Sequence, residues 1–108
     1  MTAAEERLAL MVIKRQRGTI LKFVRQGHEN QFQHLDDTSL SYMMQDMWRM
    51  SRNRVMTMLQ DLATFGLITF DQGWDEDEER MTAKKIELTA AGVALVTRRK
   101  DTTEVLFS

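Results

Sequence analysis

The sequence predicts an α+β domain, mostly α, carrying one small antiparallel β-hairpin. Three features of its second half predict it: a helical run from Ser51 to Gly66, two short strand-like runs around a charged segment, and a last helical run capped by Thr89. In the first run Val55, Met58, Leu59, Leu62 and Phe65 recur at three- and four-residue steps, so they share one helix face. Ser51 offers its side chain to an orphan N–H of the first turn. Gly66 supplies the left-handed conformation that ends a helix, and Leu67 follows as the hydrophobic stop contact. The strands are Leu67-Ile68-Thr69-Phe70 and Lys84-Lys85-Ile86-Glu87-Leu88, with turn-forming Gly73 between them. On the second strand Ile86 and Leu88 alternate with Lys85 and Glu87, which suits a sheet with one wet face.

The first half supplies further helices. Residues 4–26 carry Leu8, Met11, Val12, Ile20, Phe23 and Val24 at helical spacing. Gly18 in their midst costs about 1 kcal/mol against alanine. One long helix or two short ones fit this segment, and the long one is expected. Residues 27–37 read as a loop with Phe32 and Leu35 pinned to the core. Thr38 or Ser39 then caps a short helix that turns Leu40, Met43, Met44 and Met47 inward. Trp48-Arg49-Met50 forms the turn into Ser51, without the glycine often found in a helix-turn-helix.

Taken together, Leu62-x-x-x-Gly66-Leu67-Ile68, an acidic run closing on Arg80, and Leu88-Thr89-x-x-Gly92 resemble the winged helix of MarR-type bacterial regulators. PadR-like and other prokaryotic winged helices share the final Leu-Thr-x-x-Gly element. The resemblance covers roughly the last two thirds of the chain, and the stretch from Arg80 to Leu88 is slightly longer than the usual hairpin. It implies a winged helix-turn-helix with a small antiparallel β-hairpin wing. The division is then 1–37 for the N-terminal helix or helices and loop, 38–66 for the helix-turn-helix, 67–88 for the wing, and 89–108 for the C-terminal helix and tail. The resemblance also puts Arg80 where the wing arginine enters a minor groove.

Composition fits a single domain. A chain of 108 residues, 43% hydrophobic, buries one core, and no apolar run approaches the ~20 residues of a membrane span. With no cysteine there is no disulfide framework and no thiolate chemistry, as expected of a cytoplasmic protein. Nine methionines suit core filling in a small helical domain better than a pliable partner surface. An enzyme is not expected. His28 and His34 lack a matched carboxylate or a second ligand at metal spacing, and Ser39, Ser41 and Ser51 read as cap and turn residues. No cofactor is implied.

The net charge of −1 conceals an uneven distribution. Between Met47 and Gln60 the only charges are Arg49, Arg52 and Arg54, whereas six carboxylates crowd between Asp71 and Glu79. If helix 51–65 reads double-stranded DNA, its outward residues are Arg52, Asn53, Met56, Thr57 and Gln60, with Arg54 near the boundary. Arginine and asparagine make bidentate contacts to guanine and adenine, and recognition helices meet base edges with their N-terminal residues. Ser51, Asn53 and Thr57 can instead hold phosphates. Arg80 with Lys84 or Lys85 would grip the flanking backbone. The expected function is therefore a DNA-binding regulator, a homodimeric repressor. Its dimer contacts would come from the N-terminal helix, the 90–100 helix and the apolar Val105-Leu106-Phe107 tail, unless that tail plugs its own core.

The acidic run argues the other way, because phosphates repel it. The alternative is a protein-interaction module that uses the acidic wing and Trp74 without binding DNA. Trp74 is expected to fold back on Phe70 and the sheet; left exposed, it would anchor a partner.

Overall fold

A capping box opens the chain. Thr2 Oγ1 accepts from Glu5 N at 3.2 Å, Glu5 Oε2 accepts from Thr2 N at 3.4 Å, and the long helix α1 (Ala3–Glu29) follows. The computed structural model describes residues 2–29 and 35–107. Phe32 and His34, and the side chain of His28, lie outside the described residues. After α1 come α2 (Asp37–Trp48), α3 (Arg52–Thr64), β1 (Ile68–Asp75), β2 (Arg80–Leu88) and α4 (Ala90–Arg98). The architecture is α+β and mostly helical, with four helices and one two-stranded antiparallel hairpin among the described residues.

The expected long first helix forms without a break at Gly18. That glycine serves the C-terminal tail: a Cβ there would sit 2.1 Å from the Leu106 carbonyl oxygen. Leu106 N donates to Lys14 O at 3.1 Å, Lys22 Nζ to Phe107 O at 3.1 Å, and Val105 is fully buried. The tail thus packs on its own core through Val105, the alternative to a dimer contact, while Leu106 and Phe107 stay half-buried.

Helix α2 starts earlier than expected. Its cap is Asp36, whose Oδ1 accepts from Ser39 N at 2.8 Å, rather than Thr38 or Ser39. Leu40 and Met44 are fully buried and Met43 half-buried, but Met47 is 62% exposed because it lies in the last turn, beyond the packed stripe. Arg49 closes the helix in the left-handed region (φ 54°) and donates its N–H to Gln45 O at 2.8 Å. An arginine therefore fills the conformational role a glycine often takes in such a turn.

Ser51 caps α3 as expected, accepting from Arg54 N at 3.2 Å. At the other end Leu67 N reaches Leu62 O and Gly66 N reaches Ala63 O, both at 3.0 Å, with Gly66 at φ 77°. These two bonds make a Schellman motif. Val55, Met58, Leu59 and Leu62 are buried. Two assignments change. Met56, expected outward, is buried, because α2 and β1 flank α3 and widen its buried stripe. Phe65, expected inward, is 39% exposed past the last turn, with the Arg17 guanidinium 4.9 Å from its ring centre.

Both strands run longer than the sequence suggested. Gly73 lies inside β1 opposite Thr82, and the turn is residues 76–79. Asp75 Oδ1 closes that turn by accepting from Asp77 N at 2.9 Å and Glu78 N at 3.2 Å. Nearer the base, the register skips so that Phe70 faces both Lys85 and Ile86, with Lys85 at φ 54°. This bulge frees Ile86 N to donate to Leu35 O at 3.1 Å, which pins buried Leu35 to the sheet. Thr89 caps α4 through Gly92 N at 3.1 Å and donates to Gly66 O at 2.6 Å. Gly92 is required by close approach, since a Cβ would stand 2.1 Å from Leu67 O. The Leu-Thr-x-x-Gly element therefore welds α4 to the end of α3.

Candidate nucleic-acid interface

The outward face of α3 follows from its inward one. With Val55, Met58, Leu59 and Leu62 buried, Asn53, Arg54, Thr57 and Gln60 are exposed. Arg54 and Asn53 have no side-chain partner among the described residues. Thr57 Oγ1 donates to Asn53 O at 3.1 Å, which leaves its lone pairs outward. Ser51 is exposed, but its oxygen already accepts the Arg54 amide, so its first role is the cap.

Arg52 and Arg80 are held differently from the solvent-facing contacts expected of them. Both converge on Asp37, the first residue of α2, which is only 1% exposed. Arg80 Nη2 donates to Asp37 Oδ2, and Arg52 Nε stands 3.6 Å from the same oxygen, an ion-pair distance with no hydrogen bond. Asp37 Oδ1 accepts from Ala83 N at 3.2 Å. Arg52 Nη2 also donates to Thr38 Oγ1. A buried carboxylate is stable only when paired and fully hydrogen-bonded, and these donors supply that. Asp37 thus ties together the start of α2, the start of α3 and the first half of β2.

Glu78 closes the group from outside. Its Oε2 is 3.0 Å from Arg52 Nη2 and 3.0 Å from Arg80 Nε, while Arg80 Nη1 donates to Met81 O at 3.1 Å. One oxygen therefore sits where two guanidinium groups converge, the geometry that also seats a phosphate oxygen. The side chains of Arg52 and Arg80 remain 32% and 21% exposed, and that of Glu78 43%. Lys84 is exposed with no partner among the described residues, and Lys85 lies 3.8 Å from Asp71 as a solvated pair. Of the residues expected to touch DNA, Asn53, Arg54, Thr57 and Lys84 thus stand outward and unpaired. Ser51 is a cap, Arg52 and Arg80 belong to the ion-pair group, and Lys85 shapes the bulge.

Asp37, Thr38 and Glu78 were missed by the sequence reading. An acid at the first position of a helix suits the helix dipole, and only this weak signal marked Asp37. Its partner Arg80 is 43 positions away, beyond the reach of any local pattern.

The expectation for Trp74 is corrected. It is 60% exposed and does not fold onto Phe70; it stands opposite Met81, itself 40% exposed. The reason is the asymmetry of the hairpin. β2 packs against α1, α2 and α4, whereas among the helices β1 packs chiefly against α3, and residues 71–74 are all exposed.

No helix among the described residues is long and apolar enough to cross a membrane. In comparisons with known proteins, no family model and no curated protein matches the chain.

Proposed function

We propose that the chain is a winged helix-turn-helix DNA-binding regulator, a repressor that works as a homodimer. α3 would enter the major groove, and the hairpin would act as the wing. The observation that carries this reading is the outward face of α3, where Asn53, Arg54 and Thr57 stand exposed at the N-terminal end of a helix whose opposite face is buried. Those residue types make bidentate base contacts and phosphate contacts, and the N-terminal residues of a recognition helix are the ones that reach base edges. The Asp37 group adds rigidity. It fixes the hairpin against the start of α3, so a groove contact by one and a backbone contact by the other keep a constant spacing. Lys84 would serve the backbone.

The test is fluorescence polarisation against mixed-sequence duplex DNA over a salt series. A DNA reader binds non-specifically with a Kd on the order of 10⁻⁴ to 10⁻⁶ M near physiological salt, and log K falls linearly with log salt. Arg54→Glu is the informative variant, because Arg54 supports nothing in the fold, whereas any change at Arg52 also disturbs Asp37. It should weaken binding about tenfold or more at low salt. A flat signal at the lowest salt would overturn the reading.

One observation favours a second reading. Trp74 and Met81 form an exposed apolar pair beside the acidic turn. An aromatic anchor rimmed by carboxylates suits a basic protein partner. Under that reading Trp74→Ala abolishes partner binding and Arg54→Glu leaves it unchanged.

A further inference from the structure

The basic residues of this chain are concentrated in two helices. Six of its 15 lysines and arginines lie between Arg7 and Gln26, with no carboxylate among them, and three more close α4 as Arg98-Arg99-Lys100. α1 packs against α4. The two runs meet in a cleft of about 360 Å³, lined by Lys22, Arg25 and Gln26 of α1 and by Val96, Thr97 and Arg99 at the end of α4. Lys22, Arg25 and Gln26 stand at i, i+3 and i+4, so they share one helix face.

The walls of this cleft offer donors. Lys22 Nζ gives one of its three protons to Phe107 O at 3.1 Å. Arg25 Nη1 donates to Thr97 Oγ1 at 2.7 Å, so that hydroxyl keeps its own proton to give. Gln26 and Arg99 have no side-chain partner among the described residues, and no carboxylate is among those lining the cleft. Lys22 and Arg25 are half-buried and already tied to the tail and to α4, so little further ordering is needed when a ligand arrives. The volume falls at the lower end of the range for small-molecule sites, roughly 300–1,000 Å³. The last turn of α4 opposes an anion with about half a negative charge. Lys22 and Arg99 alone set two whole positive charges against it, before Arg25 is counted. One carboxylate would match only one of them. A phosphate group, with about −1.5 to −2 charge and three acceptor oxygens, meets an ammonium and a guanidinium fork together.

We propose that the α1–α4 cleft binds a small phosphorylated molecule through Lys22, Arg25, Thr97 and Arg99. A nucleic-acid backbone is tracked by charges along a continuous groove, whereas these are gathered in one cleft between two helices. The site is independent of the outward face of α3 and of what that face binds.

Inorganic pyrophosphate is the probe, titrated into the full chain at constant ionic strength and followed by amide proton–nitrogen correlation spectra. Saturable shifts with a Kd below about 1 mM should appear, confined to the backbone amides of residues 22–26 and 96–100. Arg99→Glu reverses an exposed charge that supports nothing else among the described residues, and should weaken binding about tenfold or more. Thr97→Val removes the hydroxyl at nearly constant shape and should weaken it several-fold. Arg7→Glu makes the same charge change about 22 Å along α1 from Lys22, well beyond a Debye length, and should alter Kd by less than about twofold. Unchanged shifts outside the cleft establish that each variant keeps its fold. Titration with mixed-sequence duplex DNA then separates the two sources of a phosphate group: Arg99→Glu should change DNA binding no more than Arg7→Glu does. Shifts that do not saturate by about 10 mM pyrophosphate, or that respond equally to Arg7→Glu and Arg99→Glu, overturn the proposal. So does a loss of DNA binding specific to Arg99→Glu, which would assign the cleft to a nucleic-acid backbone.

Discussion

At the scale of single residues, Asp37 carries more of this structure than any other polar side chain described. It is 1% exposed and accepts from Arg80 and from Ala83 N, with Arg52 at ion-pair distance. Removing one member of such a group leaves the others desolvated without compensation, at a cost of 3–5 kcal/mol for a fully buried pair. Here both arginines reach solvent, so the expected loss for Asp37→Ala is smaller, about 2 kcal/mol. Asp37→Asn should cost less than the alanine variant, because it keeps an oxygen for Ala83 N. Urea denaturation gives both values. Amide exchange adds a local reading, in which the Ala83 N–H should lose protection in the alanine variant before the core amides do. An alanine variant as stable as the wild type would mean that the hairpin is held by its apolar contacts alone.

At the scale of elements, the junctions decide where each helix stops and what lies on it. Gly18 provides a test with an informative sign. In an exposed helix interior, glycine to alanine stabilises by about 1 kcal/mol. At Gly18 the new Cβ would meet the Leu106 carbonyl at 2.1 Å, and backbone cannot step aside as a flexible side chain would. Gly18→Ala should therefore lower Tm and open the Val105–Phe107 tail to carboxypeptidase. A raised Tm with unchanged digestion would show that the tail does not rest on α1. The same residue marks the limit of what could be read from sequence. Ser51, Gly66 and Thr89 were legible because a cap or stop acts within a few positions of itself. Gly18 was legible only as a cost, since its reason is a carbonyl near the other end of the chain. Asp36 displaced Thr38 and Ser39 as the α2 cap because several capping residues stand in a row and only packing chooses among them. Trp74 was misjudged because alternation along a strand reports its faces but not whether anything lies beneath them. At the candidate interface, the free face of α3 was legible from helical periodicity apart from Met56. The capture of Arg52 and Arg80 was not, because their partners come from the start of α2 and the tip of the hairpin.

Across the whole molecule, a near-neutral total is resolved into opposed fields. The outward side of α3 offers Arg54 with Asn53 and Thr57, and the hairpin turn nearby carries Glu76, Asp77 and Glu79 in solvent. A backbone phosphate approaching the hairpin meets those acids before it meets an arginine. Glu78 is the member of the run that matters to the site, since it alone occupies the point between Arg52 and Arg80. Asp37 holds both arginines from beneath, so neutralising Glu78 should leave their positions intact and expose two charge-assisted donors. Glu76→Gln removes the same charge from the same turn at a side chain with no partner among the described residues, and therefore measures the general field alone. On the DNA-binding reading, both variants should tighten binding at low salt. Glu78→Gln should do so several-fold more than Glu76→Gln, and its log K should fall more steeply with log salt, by up to ~0.9 for one added phosphate contact. Equal effects would make Glu78 one more carboxylate in the field. Weaker binding in Glu78→Gln would mean instead that it orients the arginines, and that Asp37 alone does not suffice to hold them.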